Sequence, residues 1–171
     1  MHNIEIKEIF SRQNEEYKKF LELALRADEE SLLITYYDIT NLTFPTKDRN
    51  DSFTLGAYVD AVLAGVVSFA RDGEDREKLR HKGLLSTMYV AKEFRGWGIA
   101  KKLLEEVINR VRAIPDIEQI NLIVIATNAK AKPLYEQFGF VRFGTERNSI
   151  KWKNNYFAED HMVLHLRQND F

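Results

Sequence analysis

From Ile99 onward the apolar residues Ile99, Leu103, Leu104, Val107, Ile108 and Val111 recur every three or four positions, with Lys101, Lys102, Glu105, Glu106 and Arg110 between them. That period predicts an amphipathic helix. Ahead of it, residues 84–90 form an apolar run suited to a strand, and Gly96 and Gly98 separate the two. The stretch 90–111 therefore reads as the end of a strand, a tight basic glycine turn and a long helix.

The same reading extends along the chain. Residues 3–9 alternate as an opening strand, and Ser11 is placed to cap a helix over 13–27 with Tyr17, Phe20, Leu21, Ala24 and Leu25 on its apolar face. Residues 28–51 are less regular: a short helix over 29–34, then a polar loop containing Pro45. Two runs rich in Val, Phe, Tyr and Leu, 53–59 and 63–70, form a hairpin turning at Asp60 and Ala61. The charged segment 71–82 is expected as a solvated loop, and 83–90 as a strand. After the central helix, Pro115 introduces a turn over 116–118. The run 120–126 is apolar on both faces, as in a strand covered on both sides. With a helix as the crossover, strands 84–90 and 120–126 form a parallel, right-handed βαβ unit. A further helix spans 130–138, with Pro133 in its first turn and Gly139 in a left-handed position after its end. The last strands are 140–147 and 161–166, separated by a long loop, KWKNNYFAED.

No internal repeat or low-complexity linker divides the chain. Residues 1–171 are expected to form one α/β domain: a mixed, mostly antiparallel sheet of about six or seven strands with helices on both faces. A hydrophobic share of 44% over 171 residues is enough for a sizeable core. A net charge of −1 supplies no basic field for nucleic acid, so any phosphate binding has to be local. The chain has no cysteine, which removes disulfides, thiolate metal sites and a cysteine nucleophile. No run approaches the roughly 20 apolar residues of a membrane span, and the N-terminus lacks the apolar centre of a signal peptide. The expectation is a cytoplasmic protein.

The glycine turn carries the first chemical signal. Gly96 and Gly98 let successive backbone N–H groups converge on one spot, and the helix beginning at Ile99 adds the positive end of its dipole. Arg95, Lys101 and Lys102 add full charges, so a pyrophosphate site is expected. A P-loop would need GxxxxGK[ST], which is absent. A dinucleotide fingerprint would need a third glycine where Lys101 stands. Asp116 lies about twenty residues further on, where a ribose-binding acid would be, but follows Pro115 in a loop.

The segment Arg95-Gly96-Trp97-Gly98-Ile99-Ala100 resembles the [QR]xxGx[GA] signature of the GCN5-related N-acetyltransferase (GNAT) family. The segment from Asn128 through Ala131, Leu134 and Tyr135 to Gly139 and Phe140 resembles that family's NxxAxxLYExxGF stretch. Together the two motifs cover residues 84–140. The resemblance implies an acetyltransferase fold with a splayed parallel strand pair and acetyl-coenzyme A as cosubstrate, without a metal. Arg95, Gly96, Trp97, Gly98, Ile99, Ala100 and Lys101 would hold the pyrophosphate. The splay would lie near Met88, Tyr89 and Val90, whose backbone groups would pair with the pantetheine arm. One amide among them would polarise the thioester carbonyl. Asn128 and Ala131 would add cofactor contacts, Asn128 being equally suited to a helix N-cap. Tyr135 would give a proton to the departing thiolate.

The base is open. His81, Glu29, Glu30, Glu159 and Asp160 are candidates, none singled out by its surroundings in the sequence, and water is another. A covalent acyl-enzyme is disfavoured because neither Ser68 nor Ser86 lies in GxSxG. His161 and His165 would need a helix and a third ligand to bind a metal. The resemblance implies a primary amine as acceptor, on a small molecule or a protein, and Glu29, Glu30 and Asp38 with Tyr36 and Tyr37 suggest a pocket for a cation. Neither a nucleic-acid nor a membrane partner is expected, and the chain would be a monomer or homodimer. Two other readings stand beside this one: a non-catalytic acyl-coenzyme A binding module and a nucleotide-binding domain.

Overall fold

A computed structural model describes residues 3–167. Seven strands, β1 (Ile4–Ile9), β2 (Ser52–Val59), β3 (Val62–Arg71), β4 (Lys82–Val90), β5 (Gln119–Ile125), β6 (Val141–Trp152) and β7 (Asn155–His165), form one mixed sheet in the order β1-β2-β3-β4-β5-β7-β6. Four helices accompany it: α1 (Asn14–Asp28), α2 (Tyr36–Thr40), α3 (Ile99–Arg112) and α4 (Ala131–Gln137). The parallel pair is β4 with β5, and their crossover carries α3. The chain divides into two compact units, one comprising the residues up to Ala70 with Thr87–Ala113, the other Arg71–Ser86 with the residues from Ile114 on.

The first unit holds β1, β2, most of β3, the end of β4 and helices α1 to α3. In α1, Tyr17, Phe20, Leu21, Ala24 and Leu25 are buried at helical spacing and pack with Ile9, Ile39, Val66 and Tyr89. Helix α3 buries Ile99, Leu103, Leu104, Val107, Ile108 and Val111, the stripe the sequence defines. The β2–β3 hairpin turns at Asp60 and Ala61, with φ of 47° and 69°, the left-handed pair that matches strand twist. Ser11 is not a helix cap. It lies in a 3-10 turn, Ser11–Gln13, and its N–H and hydroxyl both donate to Asp48. The short helix expected over 29–34 is only a 3-10 turn, Glu29–Ser31. Regular helix appears later as α2, where Thr35 and Asp38 form a capping box.

The second unit is built on β5, β7 and β6. Parallel pairing joins Lys82–Leu85 to Gln119–Leu122. Along β5, Ile120, Leu122 and Val124 are buried but Ile123 is 42% exposed, so the strand is covered on one face there rather than both. Arg71 does not sit in a solvated loop side: its guanidinium forms a two-point ion pair with Asp116 at 2.9 and 3.1 Å and is largely buried. The expected long loop before the last strand is strand instead. β6 and β7 run to Trp152 and Asn155, and only Lys153 and Asn154 turn the chain, with φ of 48° and 64°. Bulges interrupt the β6–β7 register at Arg142/Gly144 and at Glu146/Ile150.

Candidate active site

Strand β4 leaves regular geometry at Thr87, whose φ of 49° is unusual for a β-branched residue. The register with β5 ends two residues earlier, at Leu85 opposite Leu122, while β4 continues to Val90. The departure expected near Met88, Tyr89 and Val90 thus begins one residue before them. Within the first unit, Gly65 makes room for this segment: a Cβ there would lie 3.1 Å from the Tyr89 carbonyl oxygen and 3.2 Å from the Val90 side chain. Ala91 N–H donates to the Ala64 carbonyl at 2.9 Å and fixes the strand end. Tyr89 is buried, its ring edge-on to Phe20. Met88 and Val90 are half-buried.

The turn that follows has the backbone expected of it. Gly96 and Gly98 have φ of 84° and 77°, and a Cβ on either would meet nothing within 4 Å. These glycines are therefore required by conformation and not by crowding from the protein. Gly98 caps α3, whose first turn contains no acidic residue, so the N–H groups of Ile99, Ala100 and Lys101 form a positive end that no side-chain carboxylate of that turn offsets. Lys101 and Lys102 are exposed beside it, and Trp97 stacks edge-on against Phe94 at 5.6 Å.

Arg95 occupies a different place from the one its charge suggested. Its Nε donates to the Val90 carbonyl at 3.0 Å and its Nη2 to Asp28 at 2.6 Å, while the guanidinium carbon lies 5.4 Å from the Tyr89 ring centre. Lys92 adds a hydrogen bond to the Ala27 carbonyl at 2.6 Å. Two cations thus cover the negative end of α1. Burial pushes the Asp28 carboxyl up, but hydrogen bonds from Arg95 and Ser31 and the nearby positive charges hold it below the usual carboxylate value. The Arg95 side chain staples the turn to β4 and α1.

In the second unit, Asn128 Oδ1 accepts from Lys130 N–H at 3.3 Å and Ala131 N–H at 3.0 Å, which makes the side chain a cap for α4. The cap uses the oxygen; the amide hydrogens take no part in it. Pro133 falls in the first turn of α4 as expected. The helix ends with Gly139 N–H on the Glu136 carbonyl at 3.0 Å and Phe140 N–H on the Tyr135 carbonyl at 3.1 Å, with Gly139 at φ 92°. This closure fixes Tyr135, which is buried and edge-on to Phe140 at 5.8 Å. Burial pushes its hydroxyl up to about 12, so the phenol keeps its proton throughout the neutral range.

The acidic candidates separate clearly. Asp160 is 1% exposed and bound by Lys132 Nζ and Thr145 Oγ1, each at 2.6 Å. Those hydrogen bonds and the lysine charge hold it below the usual carboxylate value despite burial, which makes it a poor base. Glu159 is buried and accepts a hydrogen bond from Ser149. His81 contributes its carbonyl to Glu118 N–H at 2.7 Å. In the first unit, Asp38 is committed to capping α2, Glu30 is exposed, and Tyr37 is 81% exposed. His161 and His165 lie on a strand, with His161 3.7 Å from Glu146, and among the described residues no group of three or more His, Cys, Asp or Glu could hold a metal ion. Nor is any described helix long and apolar enough to cross a membrane. Thr87 was missed by sequence reasoning. Nothing in its residue type signals a left-handed backbone in mid-strand.

A family model described as Acetyltransferase (GNAT) family matches residues 6–140. A search of the curated proteins finds no match. Among solved structures, the chain is similar to an acetyltransferase of the GNAT family from Streptococcus pneumoniae, with a TM-score of 0.77, 23% identity and coverage of 95% of this chain and 99% of that one. It is also similar to an N-acetyltransferase from Staphylococcus aureus Mu50, at TM-score 0.77 and 20% identity over 96% and 99% of the two chains. The Arabidopsis thaliana protein NAA60, solved in complex with acetyl-CoA, matches at TM-score 0.72 and 20% identity over 95% and 98%. These likenesses show the same fold. With the family model spanning 135 of the 171 residues, the chain belongs to the acetyltransferase (GNAT) family.

Proposed function

We propose that the protein is an N-acetyltransferase that works as one catalytic domain and moves the acetyl group of acetyl-coenzyme A to a primary amine. The reading rests above all on the turn at the start of α3. Two left-handed glycines with open space in front of them lead into a 14-residue helix with no acid in its first turn. Such a turn suits a pyrophosphate. The backbone of residues Arg95 to Lys101 would hold it, with Lys101 and Lys102 adding charge.

In direct transfer the amine lone pair attacks the thioester carbon, a tetrahedral oxyanion forms, and the C–S bond breaks. An amide N–H at Met88, Tyr89 or Val90 would support the oxyanion, and their backbone groups would pair with the pantetheine arm. Asn128 and Ala131 would add contacts to the arm. Tyr135 would serve the departing sulfur. A thiol ionises near 8.5 and this phenol only at about 12, so Tyr135 acts mainly as a hydrogen-bond donor while charge develops on sulfur.

Thiol release measured with acetyl-coenzyme A and a panel of primary amines tests the reading. The wild type should release thiol with at least one amine. Tyr135→Phe should lower kcat by about 10²-fold while leaving cofactor affinity within a factor of about two. Cofactor binding without any release would instead support a non-catalytic acyl-coenzyme A module.

A further inference from the structure

Toward its end, β4 directs its peptide groups alternately to two edges. On the side of β3, its neighbour in the sheet, Ala91 N–H donates to the Ala64 carbonyl at 2.9 Å, and the Tyr89 carbonyl oxygen lies 3.1 Å from where a Cβ on Gly65 would stand. Alternation therefore turns the groups of Val90, and of Met88 two residues before it, to the opposite edge. Of the three amides suited to the oxyanion, that of Tyr89 is directed at β3. Those of Met88 and Val90 remain.

The Val90 carbonyl on that opposite edge is already held. Arg95 Nε donates to it at 3.0 Å, one side chain reaching back across the 3-10 turn Lys92–Phe94. The rest of the guanidinium is engaged as well. Nη2 donates to Asp28 at 2.6 Å, and the guanidinium carbon lies 5.4 Å from the centre of the Tyr89 ring, itself edge-on to Phe20. The planar fork of an arginine suits such divided use, and it makes this side chain a fixed part of the strand end.

We propose that Arg95 is a positioning residue for acetyl transfer: through the Val90 carbonyl its side chain sets where the Met88 and Val90 amides stand, and its charge is not what the reaction needs. The inference rests on the acetyl-transfer reading above, in which one of those amides supports the oxyanion. The register with β5 ends at Leu85, and Thr87 at φ 49° breaks the strand ahead of Met88. The parallel ladder thus stops short of the segment, and the Arg95 bond takes over the task of fixing it. An amide that stabilises an oxyanion acts by being in place beforehand, so a small displacement is costly.

Three substitutions separate the donor from the charge. Glutamine carries its Nε2 at the same point along the side chain as arginine Nε, so Arg95→Gln keeps an N–H for Val90 without the charge. Arg95→Lys keeps the charge and puts a methylene at that point. Arg95→Met keeps neither. We expect kcat at saturating amine and acetyl-coenzyme A to fall about 10-fold or more with Met and Lys, and to return to within about threefold of wild type with Gln. Calorimetric affinity for acetyl-coenzyme A should change less than kcat in all three. Hydrogen exchange of the unliganded protein should follow the same order, residues 88–91 exchanging faster with Met and Lys than in wild type and with Gln. Asp28→Asn controls for lost stability, because it weakens the ion pair and leaves the Val90 bond standing, and its kcat should stay within about twofold of wild type. Arg95→Lys as fast as wild type with Arg95→Gln as slow as Arg95→Met, all three equally slow, or all three unchanged would each overturn the positioning role while leaving acetyl transfer standing. A wild type that transfers no acetyl group to any primary amine overturns the proposed function and the catalytic role of Arg95 with it, whereas the exchange pattern still decides whether Arg95 fixes the strand end.

Discussion

Asp28 at the end of α1 and Arg95 at the start of the glycine turn are joined by a 2.6 Å ion pair, although 67 positions separate them in the chain. The pair sets where the turn begins. Because the Asp28 pKa is lowered in the folded protein, its contribution is fully present above the unfolded value near 3.9 and is lost as pH falls through the folded value. Asp28→Asn should lose about 1.5–3 kcal/mol at pH 7, the range for a hydrogen bond to a charged group. In urea unfolding the gap between wild type and variant should close on acidification. A gap that stays constant between pH 7 and pH 2 would mean that the ion pair adds nothing.

In the second unit Lys132 and Asp160 make the corresponding internal pair, with the aspartate almost wholly buried. Lys132→Met leaves that carboxylate with Thr145 and, at 3.7 Å, Arg142. Removing one partner of a buried pair costs about 3 kcal/mol or more. The folded Asp160 pKa is depressed, so the pair stabilises above the unfolded value near 3.9 and stops doing so as pH falls through the folded one. Thermal melts of the two proteins should therefore differ most at neutral pH and converge in acid.

Gly98→Val separates conformation from ligand binding. A Cβ at this position meets no protein atom within 4 Å, so the main cost is the left-handed backbone, about 1–2 kcal/mol. It would nevertheless occupy the space in front of the α3 amides. Calorimetry should show acetyl-coenzyme A affinity falling by more than that backbone cost explains, about 10²-fold or beyond, with a melting temperature only slightly reduced. An affinity within a factor of about three of wild type would remove the turn from the site.

Lys153→Pro tests the final hairpin. Proline holds φ near −65°, whereas Lys153 sits at +48°. A loss of about 3 kcal/mol is expected if β6 and β7 are joined by this two-residue turn. A long flexible loop would absorb the change with almost none.

The sequence was most legible where one face of an element is buried and the other wet. The stripes of α1 and α3 and the turn at Asp60 and Ala61 follow from side-chain period and local backbone preference alone. It was least legible where long-range pairing overrules local composition. The polar run ending in KWKNNYFAED became strand because β6 and β7 pair through it, with Ile150 opposite Phe157 and Trp152 opposite Asn155. The Ser11 hydroxyl was drawn from capping to Asp48, 37 positions away. Residues 29–34 lack the length to hold a helix without a packed face, and only one short turn forms there.

What the sequence determined by itself was the chemistry of each local motif: the glycine turn, the capped helix ending in Gly139, and the stripe behind them. A backbone conformation or a helix dipole needs only neighbouring residues. Tertiary structure decided which charged groups remain for function. It tied Arg95 to Asp28 and Lys132 to Asp160, turned β4 at Thr87, and lined up the buried hydroxyls of Thr46, Thr54 and Ser68. A buried polar group takes the partner that folding brings to it, because desolvation makes an unpaired one costly, and sequence distance has no say in that choice.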